Sequence, residues 1–197
     1  MNAVEHYNRL IDENNDPFRD PLPMQAYMDK WDGQRFIESM YLSDEKTVLE
    51  IGVGTGRLAA KVVPRCGKFF GIDLSPNTID RTTENLSNFA NVELICVDFL
   101  GYTFGQKFDI IYSSLTLMHI EDKQGFITKV AGLLKENGRF CLSIDKEQSD
   151  WIDMGEYRVK IYPDRPEEIT ACIARTGMMI SNQFETEFAH VFVCTKL

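Results

Sequence analysis

Residues 47–57 read TVLEIGVGTGR, an apolar run followed by an acid and three glycines at intervals of two. The apolar residues at its start are typical of a short, buried parallel strand. The glycines that follow allow the chain to turn sharply and bring bare backbone amides close to a ligand. This order predicts the ligand-binding corner of a doubly wound α/β sheet. The strand residues are Val48, Leu49 and Ile51, and the glycines are Gly52, Gly54 and Gly56.

A helix is predicted to start at about Thr55, on the far side of this turn. Its apolar positions recur at the spacing that turns one helix face towards a sheet. Strand, glycine turn and helix then form one continuous unit. The residues on that face are Leu58, Ala59, Val62 and Val63.

The spacing of the glycines separates two kinds of ligand. A dinucleotide-binding fingerprint needs G-x-G-x-x-G, and counting from Gly52 and Gly54 the third glycine is replaced by Arg57. The strand also ends in Glu50, whose carboxylate would repel a pyrophosphate but suits an ammonium or sulfonium group. An NAD-dependent oxidoreductase therefore remains only a weak alternative.

The pattern acid-x-G-x-G-x-G from Glu50 to Gly56 resembles the first motif of class I S-adenosylmethionine-dependent methyltransferases. The resemblance is to the small-molecule type, like the enzymes of ubiquinone and menaquinone biosynthesis, and covers roughly residues 47–144. It implies S-adenosyl-L-methionine as cofactor and S-adenosyl-L-homocysteine as product. The cofactor-binding residues that it implies are Glu50, Gly52, Gly54, Gly56, Asp73, Leu74, Asp98, Phe99, Ser113 and Ser114.

Three later segments support this resemblance, each an apolar run that ends in a polar residue. Residues 68–73 (KFFGID) end in Asp73, placed to take both hydroxyls of a ribose. In the family, the acid at Asp98 would bind the adenine amino group beside Phe99. The main-chain carbonyl at Ser113, after FDIIYS, would hold the amino group of the methionine moiety. A simpler alternative for Asp73 is that it favours the start of the next helix, at Ser75-Pro76.

Two regions are predicted, an N-terminal helical lid over 1–45 and the methyltransferase domain over 46–197. Apolar residues recur at helical spacing between Met24 and Tyr41, a pattern that more often indicates core packing than a substrate pocket. Because similar enzymes cover the cofactor with N-terminal helices, Tyr7 and Trp31 are candidates for substrate contact.

The rest of the sequence predicts an α/β, Rossmann-like fold whose sheet has seven mostly parallel strands with a C-terminal antiparallel hairpin. A helix through Phe126 is expected to stop at Asn137-Gly138, and a fifth strand to cover 139–144. Two strands, 179–185 and 188–196, would form the closing hairpin. Residues 145–162 break the alternation. They either shape the acceptor site through Trp151 and Tyr157 or form a solvated connector, and the two alternatives are equally supported.

His119 is the candidate catalytic base, because an imidazole suits proton transfer near neutral pH and related enzymes often place a histidine after the fourth strand. The alternative is that His119 only orients its loop. No base is obligatory, since transfer of a methyl group from sulfonium depends mainly on alignment and desolvation. Residues 113–116 read SSLT and lack the Asn/Asp-Pro-Pro-aromatic motif of amino-methyltransferases of nucleobases. The predicted acceptor is a small molecule methylated on O, N or C.

Composition limits the partners. The net charge is −9, with 21 basic and 30 acidic residues, which argues against nucleic acid as the substrate. Three scattered histidines give no support for a metal site.

The five cysteines are expected to be reduced, with Cys96, Cys141 and Cys194 buried in strands. No apolar stretch could span a membrane. A cytoplasmic location follows as the default, and the oligomeric state stays open. A non-catalytic S-adenosylmethionine-binding or regulatory protein is the main alternative function.

Overall fold

The computed structural model describes residues 1–197 and has a seven-stranded sheet at its centre. The strands are β1 Thr47–Ile51, β2 Lys68–Asp73, β3 Val92–Cys96, β4 Phe108–Ser114, β5 Leu134–Asp145, β6 Trp151–Asp153, β7 Arg158–Lys160, β8 Met178–Glu185 and β9 Ala189–Lys196. The order in the seven-stranded sheet is β3-β2-β1-β4-β5-β9-β8, and only β9 runs opposite to the other six strands. This confirms the predicted fold class.

Helices cover both faces of this sheet, and two short 3-10 turns follow the first and fourth strands, at Val63–Arg65 and Leu117–His119. None of the helices combines the length and apolar character needed to cross a bilayer. The α-helices are α1 Ala3–Asp12, α2 Leu22–Met28, α3 Gly33–Ser39, α4 Ala59–Val62, α5 Pro76–Asn85, α6 Lys123–Leu133 and α7 Pro166–Ala174.

The sheet is buried on both faces. Val48 and Leu49 are consecutive in β1 and both fully buried, yet they belong to different apolar clusters because successive strand residues point to opposite faces. One cluster contains residues of α6 and α7, and the other contains residues of α3 and α4. Parallel strands covered on both sides read as continuous apolar runs. This explains why the short run in β1 could be identified from sequence.

The strand order reverses beside β1, which pairs in parallel with β2 on one side and β4 on the other. In open α/β sheets the loops on the two sides of such a switch point leave in opposite directions and open a crevice at the carboxyl edge. The glycine turn after β1 lies at this crevice.

Two predicted helix boundaries were wrong. The helix after the glycine turn begins at Ala59, not Thr55, and has four residues before the 3-10 turn. The glycine turn therefore uses more chain than expected. Helix α6 ends at Leu133, before Asn137-Gly138, because Leu134 already pairs with Phe108 as the start of β5.

The segment after β5 is neither a plain loop nor fully solvated. Strands β6 and β7 form a small antiparallel hairpin, and Val159 and Ile161 are buried at its base. Trp151 remains 48% exposed on β6.

The cysteine prediction was also partly wrong. Cys141 and Cys194 are buried free thiols, whereas Cys96, the last residue of the edge strand β3, is exposed.

The N-terminal segment packs in two ways. Helix α3 contributes Phe36 and Ile37 to the core, which agrees with the predicted apolar face, although Tyr41 just beyond it is exposed. Helix α1 has a single buried residue, His6, and contacts its surroundings mainly through polar groups. It lies against α5 and β7, across the carboxyl edge of the sheet.

Candidate functional site

One cavity of about 280 Å³ lies at the carboxyl edge of β1, β2 and β4. This volume is far larger than one water molecule or metal ion needs. Side chains from the N-terminal segment, from the strand ends and from the turn after β4 line it together. Of the residues predicted for the site, those that line the cavity are Tyr7, Glu50, Gly52, Gly54, Asp73, Leu74, Asp98, Phe99, Ser114 and His119.

The glycine turn gives this cavity a bare backbone wall. Gly52 and Gly54 have φ of 77° and 53°, in the left-handed region that favours glycine. A side chain on Gly52 would collide with Thr116, whose Oγ1 would lie 2.1 Å from the added Cβ. A Cβ on Gly54 would meet nothing within 4 Å. The space in front of Gly54 is therefore open to a ligand.

Gly56 has a different surrounding and does not line the cavity. Its φ is 92°, and an added Cβ would lie 3.3 Å from Thr82 and 3.4 Å from Leu86. The absence of a side chain at Gly56 thus allows the glycine turn to pack closely against α5.

Asp73, at the end of β2, holds two backbone groups. Its Oδ2 accepts a hydrogen bond from Gly54 N at 3.1 Å, and its Oδ1 accepts one from Ser75 N at 3.0 Å. Ser75 in turn caps α5 by accepting from Thr78 N. Burial raises the pKa of Asp73. Asp73 thus supports the helix start, as the simpler alternative proposed, and it also lines the cavity.

Glu50 is buried on β1 beside Tyr112 of β4. The Tyr112 hydroxyl donates to its Oε2 at 2.7 Å. Burial raises the pKa of Glu50 well above the usual value, and it outweighs the opposing effects of Tyr112 and the nearby Arg57. A cation in the cavity would favour the ionised carboxylate again.

Asp98 and Phe99 follow β3, the edge strand beside β2, and both line the cavity. Asp98 Oδ1 accepts from Leu100 N at 3.1 Å, which leaves Oδ2 without a protein donor. Phe99 is almost completely buried, and its ring packs against Phe126 with the centroids 5.0 Å apart.

The end of β4 combines a buried serine with a strained residue. Ser113 itself does not line the cavity, and its hydroxyl donates to Ile51 O at 2.9 Å. Ser114 and Leu115 line the cavity, and Leu115 has φ of 55°. A left-handed conformation is costly for a bulky residue and is typical of functional sites. Leu115 N donates to Ser143 O at 3.1 Å, which holds the chain in this conformation.

His119 and Tyr7 meet across the cavity. The Tyr7 hydroxyl lies 2.8 Å from Nε2 of His119, while Nδ1 of His119 is buried without any partner. Burial is the main cause that lowers the pKa of His119 to about 4, so its ring is neutral near pH 7. Burial also raises the pKa of Tyr7, whose hydroxyl stays protonated.

Lys123 fixes the position of the turn that carries His119. The ammonium group of Lys123 donates to the carbonyls of Leu117 at 2.7 Å and Tyr162 at 2.8 Å. It also forms an ion pair with Asp164 at 2.5 Å. Burial raises the pKa of Asp164 to about 6. These contacts restrict where the imidazole of His119 can lie.

The other aromatic candidates lie outside the cavity. Trp31 donates from Nε1 to Asp145 Oδ2 at 3.0 Å and packs against Phe188. Tyr157 reaches the N-terminal helix instead, where its hydroxyl lies 3.1 Å from Nδ1 of His6. Trp151 lies on the exposed face of the small hairpin.

An ion-pair network that sequence reasoning missed borders the cavity at the glycine turn. Arg57 contacts both oxygens of Asp32, at 3.1 Å and 2.5 Å, and Oδ1 of Asp29 at 2.9 Å. Ser114 donates to Asp32 Oδ2 at 3.0 Å, so the network joins the N-terminal segment to the end of β4. The sequence carried no signal for these pairs, since Arg57 lies 25 residues from Asp32.

A second polar cluster fastens the other side of the glycine turn. Asp16 accepts from Arg81 at 3.1 Å and from Asn85 at 3.2 Å, both on α5. Asn85 also donates to the carbonyl of Thr55 at 3.0 Å. The N-terminal segment is thus tied to the glycine turn at two separate points.

The chemistry of these groups fits a nucleoside that carries a cationic amino acid. Carboxylates lie at the carboxyl ends of three strands, the loop wall is bare backbone, and the remaining wall is mostly apolar. No group of three or more His, Cys, Asp or Glu side chains is arranged to hold a metal ion.

The comparison with protein families identifies the class to which this chain belongs. Residues 42–174 match the model of the family described as "Methyltransferase domain". The match covers most of the chain, and the chain belongs to this family. The methyltransferase identity predicted from the motifs is confirmed.

Three similar proteins illustrate the range of the family. Malonyl-(acyl-carrier protein) O-methyltransferase 1 of Ilyobacter polytropus is 30% identical over 49% of this chain and 37% of its own length. Nodulation protein S of Sinorhizobium fredii is 26% identical over 68% of this chain and 62% of its own. The chain therefore spans less than two thirds of either relative. The magnesium protoporphyrin IX methyltransferase of Synechocystis has the same fold, with a TM-score of 0.73 at 15% identity over 99% of this chain and 95% of that one.

Proposed function

We propose that this chain transfers the methyl group of S-adenosyl-L-methionine to a small-molecule acceptor. The observation that carries the proposal is a single cavity that runs from Asp73 and Asp98 to the Tyr7–His119 pair. A cofactor site alone would end at the glycine turn. Here the cavity continues to two polar side chains that no cofactor-binding role requires, and this argues against a binding protein without an acceptor site.

The cofactor assignment follows the chemistry of each strand end. Asp73 would bind the ribose hydroxyls, and Asp98, through the Oδ2 that has no protein donor, would bind the adenine amino group. Glu50 would face the cationic part of the cofactor, and the main chain at Ser113 would accept from its amino group. Gly54 leaves the space that the ligand needs beside the loop.

The cofactor supplies a methyl group that is already activated on a sulfonium sulfur. The protein then has to hold the acceptor in line with that methyl group and exclude water. The strained Leu115 and the neighbouring Thr116 line the wall between the glycine turn and His119. We assign to these residues the positioning of the acceptor.

His119 and Tyr7 would orient the acceptor and take its proton. The pairing allows two arrangements: the Tyr7 hydroxyl donates to Nε2, or Nε2–H donates to the Tyr7 oxygen. Only the second arrangement leaves Nδ1 unprotonated, and Nδ1, which has no protein partner, would then be the nitrogen that takes the proton. A ring with a pKa of about 4 cannot deprotonate an alkylammonium in advance. It can, however, accept the far more acidic proton of the oxonium, carbocation or arylammonium that forms when a hydroxyl, a carbon or an aromatic amine is methylated, which favours an acceptor of these kinds that arrives uncharged.

The remaining expectations concern lid, location and acceptor class. Residues 1–45 act as a lid in this proposal, because Ala3, Tyr7, Pro17 and Met28 line the cavity. A small molecule is favoured over a nucleic acid by the net charge of −9. The five free cysteines support a cytoplasmic location.

Calorimetric titration tests the cofactor first. We expect micromolar binding of S-adenosylmethionine and S-adenosylhomocysteine, and no binding of NAD, which serves as the control. Binding of NAD alone would identify an oxidoreductase and refute the proposal. A screen of uncharged hydroxyl, amine and carbon acceptors, read out by formation of S-adenosylhomocysteine, then tests transfer. Cofactor binding with no turnover on any acceptor class would favour the non-catalytic alternative.

A further inference from the structure

Lys123, the first residue of α6, carries a nearly buried positive charge close to the turn that holds His119. Its side chain is only 12% exposed, and that of its ion-pair partner Asp164 is 1% exposed. Neither residue lines the cavity, so neither contacts a ligand bound there. Buried ionisable groups with specific charge partners are common at functional sites. The pair therefore needs an explanation that the cavity alone does not give.

The three N–H groups of the Lys123 ammonium are all used, and they reach two separate segments of the chain. One donates to the carbonyl of Leu117, in the turn that carries His119, at 2.7 Å. The second donates to the carbonyl of Tyr162 at 2.8 Å, and the third contacts Oδ1 of Asp164 at 2.5 Å. Lys123 thus joins the turn after β4 to the segment after β7.

Two further hydrogen bonds make this junction rigid. Tyr162 N donates to the carbonyl of Met118 at 2.7 Å, so the carbonyls of both residues that precede His119 are bound to the junction. Asp164 N donates to Oε1 of Gln148 at 2.6 Å, which anchors the segment close to the end of β5. Since the backbone directly before His119 is fixed, the direction in which its side chain leaves the turn is fixed as well.

Stability does not account for an ion pair at this place. Desolvation offsets much of the attraction between two buried charges, and apolar residues of similar volume often give equal or greater stability. Burial raises the pKa of Asp164 to about 6 and lowers that of Lys123, so desolvation opposes both charged forms here. An apolar pair would, however, lack the donors that hold the two carbonyls.

The ammonium also acts on the charge of the histidine. Burial is the main cause of the lowered pKa of His119, and repulsion by His6 and Lys123 adds to it. The carboxylate of the ion pair and Glu168 on α7 offset part of the ammonium charge. Tyr7, the other titratable group at the ring, stays protonated because burial raises its pKa. The neutral imidazole is the form that can take a proton from an acceptor.

We propose that Lys123, together with Asp164, is a positioning residue for the methyl transfer: it fixes the place of the His119 imidazole through the backbone of its turn. This inference rests on the proposed function and extends it to residues outside the cavity. It also makes the segment after β7 part of the catalytic apparatus, although that segment contributes no side chain to the cavity.

A double variant, Lys123→Met with Asp164→Leu, removes the pair without leaving a buried charge unpaired. We expect it to fold about as stably as wild type, which thermal unfolding checks. The first readout is NMR titration of the histidine rings, with His119→Asn to assign the signal. The pKa of His119 should be about 4 in wild type and should rise by roughly one unit in the double variant. This readout requires no acceptor.

Lys129→Met is the matched control. Lys129 lies on the same helix, and its ammonium also donates to two carbonyls, those of Leu100 at 2.9 Å and Tyr102 at 2.5 Å. These carbonyls belong to the loop after β3 and not to the turn of His119. We expect this variant to leave the pKa of His119 at the wild-type value. Lys123→Arg retains the charge and can donate to both carbonyls, so it should also keep that value.

Kinetics on an acceptor identified in the screen give the second readout. We expect the double variant to lower kcat by roughly 10- to 100-fold, because a small displacement of a positioned group has an effect of this order. Calorimetric affinity for S-adenosylmethionine should stay at the wild-type value. A purely structural role would instead change the unfolding temperature alone.

The inference requires both changes. If a folded double variant keeps either the wild-type pKa of His119 or the wild-type kcat, the pair only supports the fold and the inference is overturned. Should the double variant not fold, Lys123→Gln replaces it under the same criterion, since its amide still donates to one carbonyl and Asp164 can take up a proton. A wild-type protein that does not bind S-adenosylmethionine refutes the proposed function itself, and calorimetry distinguishes that failure from the others.

Discussion

The hydroxyl oxygen of Tyr7 lies 2.8 Å from Nε2 of His119, although 112 residues separate them in the sequence. The contact joins α1 to the turn after β4, directly across the cavity. The ring of His119 is neutral and its Nδ1 has no partner, and this pair is the polar part of the wall that we assign to the acceptor.

Replacing His119 should therefore impair catalysis more than cofactor binding. If the imidazole takes the proton of the acceptor, we expect His119→Asn to lower kcat by about 10²- to 10⁴-fold. Tyr7→Phe removes one hydrogen bond and should have a smaller effect, about 1 kcal/mol. The measurement is steady-state kinetics with an identified acceptor, together with calorimetric binding of S-adenosylmethionine. His190→Asn, on β9 outside the cavity, is the control. An unchanged kcat in His119→Asn would leave the histidine with only an orienting role for its turn.

Asp73→Ala should weaken the binding of S-adenosylmethionine by roughly 1.5–3 kcal/mol, because the carboxylate is assigned to the ribose hydroxyls. The same change removes the acceptor for Gly54 N and Ser75 N, so part of the loss comes from a looser loop. Asp80→Ala, an exposed position on α5, is the matched control and should bind normally. Normal affinity in Asp73→Ala as well would show that the ribose lies elsewhere.

Gly54→Ala should separate ligand binding from folding. An added Cβ meets no protein atom within 4 Å, so only the positive φ opposes it, at about 1 kcal/mol. The same Cβ would project into the space assigned to the cofactor. We therefore expect a folded protein that has lost most of its S-adenosylmethionine affinity, with a stronger effect for Gly54→Val. Gly105→Ala, which also meets no neighbour, is the control. Wild-type affinity in Gly54→Ala would mean that the ligand does not approach this loop.

The parts of the fold that local patterns determine were predictable. The strands around the glycine turn are buried on both faces, so their apolar runs were visible in the sequence. The N-cap of α5 at Ser75 and Pro76 was also recognised, because a capping signal lies within a few consecutive residues.

The contacts that complete the site were not predictable, because they join residues that are distant in sequence. Arg57 was noticed only as a missing glycine, and its pairing with Asp32 depends on how the N-terminal segment packs. The link from Asp16 to Asn85 has the same origin. The hairpin of β6 and β7 was missed since strands of three residues carry too little periodicity to be detected.

The buried histidine should make stability depend on pH. The pKa of His119 is about 4 in the folded protein and close to 6.5 when unfolded, so between these values the unfolded chain binds the additional proton. Stability from this group is therefore complete above pH 6.5 and falls as the pH drops towards 4, by up to about 3 kcal/mol. Asp164, whose pKa is raised to about 6 in the folded protein, has the opposite effect. Its contribution to the stability of the protein is present at low pH and is lost as the pH rises from about 4 to 6.

Because these two effects partly cancel, the wild-type curve alone cannot isolate the histidine, and a comparison of variants is needed. Urea unfolding at pH 5.0 and 7.5 should show that wild type gains about 2 kcal/mol over His119→Asn as the pH rises, since Asp164 contributes equally to both. Tyr7→Phe keeps the titrating ring but lacks its hydrogen bond, and it should follow wild type. A difference between wild type and His119→Asn that is the same at both pH values would mean that His119 titrates as an exposed histidine. Its ring would then carry a proton at mildly acidic pH, and the preference for an uncharged acceptor would lose its physical basis.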